Sequence, residues 1–303
     1  MDTEFILDQM EATAEPFALC QLHGKCEIGL DKDPSATLHY VLAGCGEIHL
    51  PGRVPISLTC GSLVLVPALS RHTLRSFGEH VEPVPACRPA GLELAHLIEG
   101  DAVAENGDQL ITICAHIALS LRSLHNLIDL IREPIAETVD DSPLLAMPVR
   151  AILDELANPG TGSKAMIRAL LLVCTIEMMR RRLAAQDQSL SWMAALRDPR
   201  LWPVLRRMLD APGEAYSLES LAEIAGMSRS AFAKRFADAY GSGPMELLRD
   251  LRMQRASTSL LETDLPVKRI AEMSGFRSRS AFTRAFEAAT GISPQQFRSR
   301  KPG

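Results

Sequence analysis

The chain of 303 residues contains no run of eighteen apolar residues, so no segment is long enough to cross a bilayer as a helix. Its opening stretch, MDTEFILDQMEATAEPF, lacks the basic region followed by an apolar segment that marks a secretory leader. These absences predict a soluble, cytoplasmic protein with no membrane partner. Cysteine is too sparse and too irregular for a disulfide scaffold: the seven are an odd number, and in a reducing compartment most are expected to be buried thiols. The length allows two or three domains, and a hydrophobic content of 47% is ample for packed cores.

What the chain does have is an internal repeat. LAEIAGMSRSAFAKRFADAYGSGP, residues 221–244, returns in altered form as IAEMSGFRSRSAFTRAFEAATGISP at 270–294. Phe232 and Phe282, Phe236 and Phe286, and Pro244 and Pro294 are matched pairs, and one residue is inserted between Gly275 and Ser280. Two copies are too few for a solenoid, so the repeat predicts a tandem pair of small helical modules.

Each copy reads as helix, turn, helix. In the first, Ser217 caps a helix whose Leu218, Leu221, Ala222 and Ala225 face inward, Gly226 makes the turn, and Ser228 caps a second helix anchored by Phe232 and Phe236. In the second, Pro266 opens the helix, Ile270, Ala271 and Met273 point inward, Gly275 turns, Ser278 caps, and Phe282 and Phe286 anchor. The residues left facing outward on the second helices are Arg229, Ser230, Ala233 and Lys234, then Arg279, Ser280, Thr283 and Arg284. Arg and Lys read guanine O6 and N7, while Ser and Thr serve bases or phosphates, so the pattern points to a DNA-binding helix-turn-helix used twice. A lone basic helix is more simply a solvated face; recurrence of the same capped basic stripe favours DNA.

Charge agrees with that division. Residues 199–303 hold 17 Lys and Arg against 11 Asp and Glu, a balance of +6, and residues 1–198 hold 15 against 26, a balance of −11. A phosphate backbone attracts the first and repels the second, so the overall −5 conceals a basic reader and an acidic remainder.

The two modules, the helix between them with LLRDLRMQRASTSLL, and the closing GFRSRSAFTRAFEAATGISPQQFR resemble the DNA-binding domain of AraC/XylS-type transcription regulators over about the last hundred residues. The motif G-F-x-S-x-S-x-F-x-R-x-F runs unbroken from Gly275. The resemblance implies two recognition helices in successive major grooves, with Ser230, Ala233, Lys234, Arg279, Ser280, Thr283 and Arg284 toward bases and Arg229 toward phosphate. Ser230 and Ala233 are small, so the second module is expected to supply more of the base discrimination. The resemblance further implies an activator, a homodimer and RNA polymerase as a partner.

Residues 17–98 show short apolar runs separated by Gly, Pro, Asp and His, which predict a small antiparallel barrel or sandwich. HYVLAGCGEIHLPG followed by LTCGSLVLVPALSRHTL is similar to the cupin-like sensor domain that precedes some AraC-type domains. Beyond Asp101 the composition reads as helical: LITICAHIALSLRSLHNLIDLI, then SPLLAMPVRAILDEL, then a helix from Lys164 to about Leu183. In the resembling regulators that last helix contributes to dimerisation. Its Ile167, Leu170, Leu171, Cys174, Ile176 and Met178 exceed one stripe, leaving a partner surface and an internal core both open.

Candidate chemistry in the barrel rests on a few side chains. Metal-dependent cupins use a His-x-His pair with a Glu and a later His; here His39, Glu47, His49 and His72 are scattered and no His-x-His occurs, so neither catalysis nor a metal or other cofactor is expected. His72 is placed near the barrel mouth, a ligand or surface residue. Cys20-x2-His23-x2-Cys26 with Cys87 offers four donors, but odd steps along a strand send neighbours to opposite faces. A redox pair of Cys20 or Cys26 with Cys87, the latter beside Arg88 in a Pro-rich loop, is the sharper possibility, set against buried structural cysteine.

The expected architecture is therefore an α+β multidomain chain: a small antiparallel cupin-like β-barrel sensor over 1–100, a helical dimerisation or linker segment over 101–190, and an all-α DNA-binding domain over 199–303 with helix-turn-helix units at 217–240 and 265–290. The expected function is sequence-specific binding of double-stranded DNA, controlled by an unidentified effector or redox signal. A cupin-type metalloenzyme fused to a DNA-binding module is the alternative.

Overall fold

Residues 10–77, 84–90, 109–121, 131–185, 190 and 192–300 are described in the structure, a computed structural model. They form two compact units, one from Met10–Leu119 with Arg132–Gln186 and one built on Asp187–Gly303.

The first unit is an antiparallel nine-stranded sheet of β1 (Met10–His23), β2 (Glu27–Leu30), β3 (Ala36–His49), β4 (Ile56–Thr59), β5 (Ser62–Val66), β6 (His72–Ser76), β7 (Val84–Ala90), β8 (Gln109–Leu121) and β9 (Ile135–Thr138). The order β2-β6-β3-β8-β1-β7 has β3 as its organiser. Its first half, Thr37–Tyr40, pairs with β5 and β8, and its second half, Cys45–His49, pairs with β4 and β6. The changeover needs glycine: Gly44 sits at φ +80°, and a Cβ there would lie 1.8 Å from the Gln109 carbonyl oxygen. Only a bare Cα lets β8 pass so close, which explains the strand–Gly–strand rhythm of HYVLAGCGEIHL.

β5 is buried on both faces. Val64 and Val66 join Leu22, Val41, Ile48, Leu58, Leu74 and Leu110 in the barrel core. Leu63 points outward to a cavity of about 30 Å³ shared with Val149, Ile152 and Leu171 of two covering helices. These are α1 (Pro143–Ala157) and α2 (Ser163–Ala184). Arg181 and Arg182 near the end of α2 both pair with Glu137 of β9, Nε to carboxylate at 2.9 and 2.7 Å, and tie the helix to the sheet.

Three expectations are corrected here. Gln109–Leu121 is a strand inside the sheet, not helix; Ile111, Thr112, Ile113 and Ile117 are β-branched and buried, and a short run buried on both faces carries no period that separates strand from helix. The expected boundary near residue 100 consequently does not divide two compact bodies, since 132–186 belong to the barrel unit. Cys87 lies in β7, not in a Pro-rich loop; its strand is last in the sheet order, where proline costs no central ladder bond. The run LELAHLI lies outside the described residues.

The second unit is helical: α3 (Trp192–Arg197), α4 (Trp202–Asp210), α5 (Leu218–Ile224), α6 (Arg229–Tyr240), α7 (Pro244–Glu262), α8 (Val267–Met273), α9 (Arg279–Thr290) and α10 (Pro294–Arg298). Phe232, Phe236, Phe282, Phe286 and Phe297 are fully buried. Successive rings meet at 5.7 Å on α6 and 5.5 Å on α9, the spacing of attractive tilted pairs. Ile270 and Ala271 are buried as expected, whereas Met273 is exposed because α8 ends there and the chain turns away.

Candidate nucleic-acid interface and sensor site

The two outward stripes follow from capping and core placement. Ser228 accepts the Ala231 backbone N–H at 3.4 Å and Ser278 that of Ala281 at 3.2 Å, so α6 and α9 start at equivalent residues. Gly226 and Gly275 make the preceding turns at φ +62° and +77°. With the phenylalanines inward, Arg229, Ser230 and Lys234 on α6 and Arg279, Ser280 and Arg284 on α9 are exposed, and Ala233 and Thr283 are half-buried between them. Arg279, Ser280, Thr283 and Arg284 line one shallow open depression. α6 is braced by Arg235, whose Nε donates to Asp198 at 2.5 Å.

The two helix-turn-helix modules are fastened to each other through α7. Arg252 donates to the Pro212 carbonyl at 2.8 Å and the Glu214 carbonyl at 2.7 Å, and Arg255 to the Asp210 carbonyl at 3.2 Å. The loop so held lies backbone to backbone on the second module's turn: a Cβ on Gly213 would sit 2.0 Å from the Met273 carbonyl oxygen. Sequence reasoning missed this clamp, whose only trace is a glycine between proline and glutamate.

In the barrel unit the expected sensor residues separate. Cys20 is buried in the core, His23 is exposed at the end of β1, and the half-buried Cys26 thiol donates to the His23 carbonyl at 3.4 Å. The Cys20-x2-His23-x2-Cys26 set does not converge. The β1–β7 register sets Cys20 opposite Cys87.

His72 is not at an open mouth. It is buried, and it closes a chain that no short-range pattern announced: His72 Nδ1 lies 3.0 Å from the Ser70 carbonyl, His72 Nε2 lies 2.8 Å from His39 Nε2, His39 Nδ1 lies 3.0 Å from Cys114 Sγ, and Cys114 Sγ lies 3.4 Å from Cys20 Sγ. Burial, reinforced by His116, pushes His39 down to about 3, and burial with the neighbouring His39 does the same to His72. Both rings are therefore neutral near pH 7. Their tautomers follow from one fixed point. A carbonyl only accepts, so His72 carries its proton on Nδ1 and offers a bare Nε2. His39 then donates from Nε2, which leaves Nδ1 bare on the side that faces Cys114 Sγ.

A duplicated, capped basic helix in a chain that also carries a sheet barrel is the pattern of a DNA-binding transcription regulator. A helix-turn-helix domain profile matches residues 221–300 and a cupin profile matches residues 4–184. The RCS-specific HTH-type transcriptional activator RclR of Escherichia coli K12 is 30% identical over 86% of this chain and 84% of its own, and a putative AraC-like transcription regulator of Streptomyces lividans is 27% identical over 91% and 90%. The crystal structure of ToxT from Vibrio cholerae bound to an unsaturated fatty acid shares the fold at TM-score 0.52 and 14% identity, over 94% of this chain and 95% of that one. The chain belongs to the AraC-type transcription regulators with an N-terminal cupin domain.

Proposed function

We propose that the regulator reads its operator with Lys234, Arg279, Ser280, Thr283 and Arg284, aided by Ser230 and Ala233, while Arg229 holds phosphate. The observation that carries this is the pair of identically capped helices, each with its phenylalanines inward and its cations outward. Double-stranded DNA is the partner; activation is the mode that the activator among its relatives supports, and RNA polymerase is the proposed second partner. Gel shifts of single alanine variants on a duplex enriched from a random pool test the assignment. Loss concentrated at Arg279 and Arg284 is expected; uniform binding across the seven positions that are not already alanine would refute it.

The cupin unit is read as the sensor of a small-molecule or redox signal and not as an enzyme, in keeping with the regulators among its relatives. The cavity of about 30 Å³ under α1 and α2 holds roughly one water, against the ~300–1,000 Å³ of a typical ligand pocket. That supports a chemical change at side chains over capture of a large ligand there. Homodimerisation is supported by exposed Leu144 and Met147 on α1 and Met166 and Val173 on α2; Ile167, Leu171, Cys174 and Met178 of α2 are buried internally. Sedimentation of the wild type against Met147→Lys tests it: the variant should shift toward monomer, and an unchanged mass would remove this face.

A further inference from the structure

We propose that α3 and the aspartate that follows it position the first recognition helix: α3 packs against α6, and Asp198 latches Arg235 so that α6 is held in the pose in which its stripe reads DNA. This rests on the reading of operator DNA by α6 and deepens it.

Asp198 stands between α3 and α4 and serves both ends of the latch. Its Oδ1 accepts the backbone N–H groups of Arg200 at 2.9 Å and Leu201 at 3.4 Å, which fixes the turn into α4. Its Oδ2 accepts Arg235 Nε at 2.5 Å from the middle of α6, across 37 residues of chain. The Asp198 side chain is only 11% exposed. Burial works against its charge, but the Arg235 guanidinium and the two N–H groups outweigh burial and hold the carboxyl below its ordinary value. Beside the latch, α3 buries Ala195 and Leu196 and packs against both α4 and α6.

The repeat supplies an independent argument. Both recognition helices carry cations at matched stripe positions, Arg229 with Arg279 and Lys234 with Arg284, but Arg235 is answered by Ala285. A cation wanted for DNA belongs in both copies; one wanted for Asp198 belongs only in the copy that Asp198 reaches. Position on the helix agrees, since Arg235 stands about 140° round α6 from Ser230 and about 160° from Ala233, off the reading stripe.

Among the described residues α3 is the first α-helix after α2 of the cupin unit. It lies before residue 199, where the basic domain was expected to begin, and outside the helix-turn-helix profile at 221–300. The segment that joins the two units in the chain thus enters the DNA-binding unit as part of what seats α6.

The test uses the full chain and a duplex enriched from a random pool, with two derivatives in which one or the other preferred segment is scrambled. The α6 segment is the one whose preference Lys234→Ala relaxes. Asp198→Asn keeps an acceptor for Arg200 and Leu201 but loses the charge, and Arg235→Ala installs the residue of the second module. Each should lower discrimination for the α6 segment by roughly threefold to fivefold, the upper range for a partly exposed charge pair. Discrimination for the α9 segment should be unchanged, which also shows that the variants fold. Loss spread equally over both segments, or no loss, overturns the inference. Salt dependence separates the latch from direct contact. If Arg235 binds phosphate, Arg235→Ala lowers the slope of log affinity against log salt by about 0.9, and Asp198→Asn tightens binding by freeing the cation; either result overturns the latch, which predicts an unchanged slope and weaker binding. Wild-type preference for both segments reports separately on the operator reading, so segment-blind variants count against the latch alone.

Discussion

Acid should destabilise the barrel unit through His39 and His72. Each is held near 3 in the folded state against an ordinary 6.5. A depressed folded value means that the unfolded chain binds the proton first: stability is complete above pH 6.5 and is lost as pH falls from there toward 3. At pH 5 the gap is 1.5 pH units, or about 2 kcal/mol for each ring at ~1.36 kcal/mol per unit, and about 4 kcal/mol for the pair. Neither ring is exposed enough for solvent to screen the effect, at 0% and 2%. At roughly 2–4 °C per kcal/mol for a unit of this size, Tm should fall by about 8–16 °C between pH 7.5 and pH 5 from these residues alone. Carboxylates also titrate, so the comparison is with His39→Gln/His72→Gln, which keeps side-chain amides in the same chain but has nothing to protonate. Differential scanning calorimetry of both proteins should show a much flatter pH dependence in the double variant. Parallel curves would refute the claim that the pair is buried and neutral.

Other consequences follow from particular contacts. Arg284→Ala should cost about 1–3 kcal/mol of specific binding and leave non-specific binding nearly intact, read by gel shift at fixed salt. Phe282→Ala empties a fully buried site and should lower stability by about 3–5 kcal/mol, seen as a lower denaturation midpoint with unchanged slope. Gly213→Ala pushes its loop off the Met273 carbonyl, and Arg252→Gln releases two carbonyl bonds. Both should weaken discrimination against an operator lengthened by one base pair between its two contacted segments, measured as a ratio of affinities, while stability changes alone would leave that ratio fixed.

The DNA-binding half was legible because its signals are local. Caps, turn glycines and phenylalanines four apart lie within one helix or one turn, and the repeat states each twice, so α5 through α9 fall where the spacing places them. The barrel was legible only in outline. β3 hides a change of sheet behind Gly44, β7 carries prolines that suggest a loop, and β8 is apolar on both faces and so has no usable period. The chain of His72, His39, Cys114 and Cys20 was illegible for a simpler reason: its members come from four strands, with 33, 75 and 94 residues between successive partners, and only the register brings them together. Scattered histidines in a sequence carry no statement about whether their rings touch.

The central claim is that α6 and α9 together read DNA. The most direct measurement is enrichment of duplexes from a random pool by the full chain, followed by sequencing. Two short preferred segments separated by about one helical turn, 10–10.5 base pairs centre to centre, are predicted, with the segment facing α9 the more strongly specified. A retained pool with no sequence preference, or a single segment insensitive to its distance from anything else, would contradict the account.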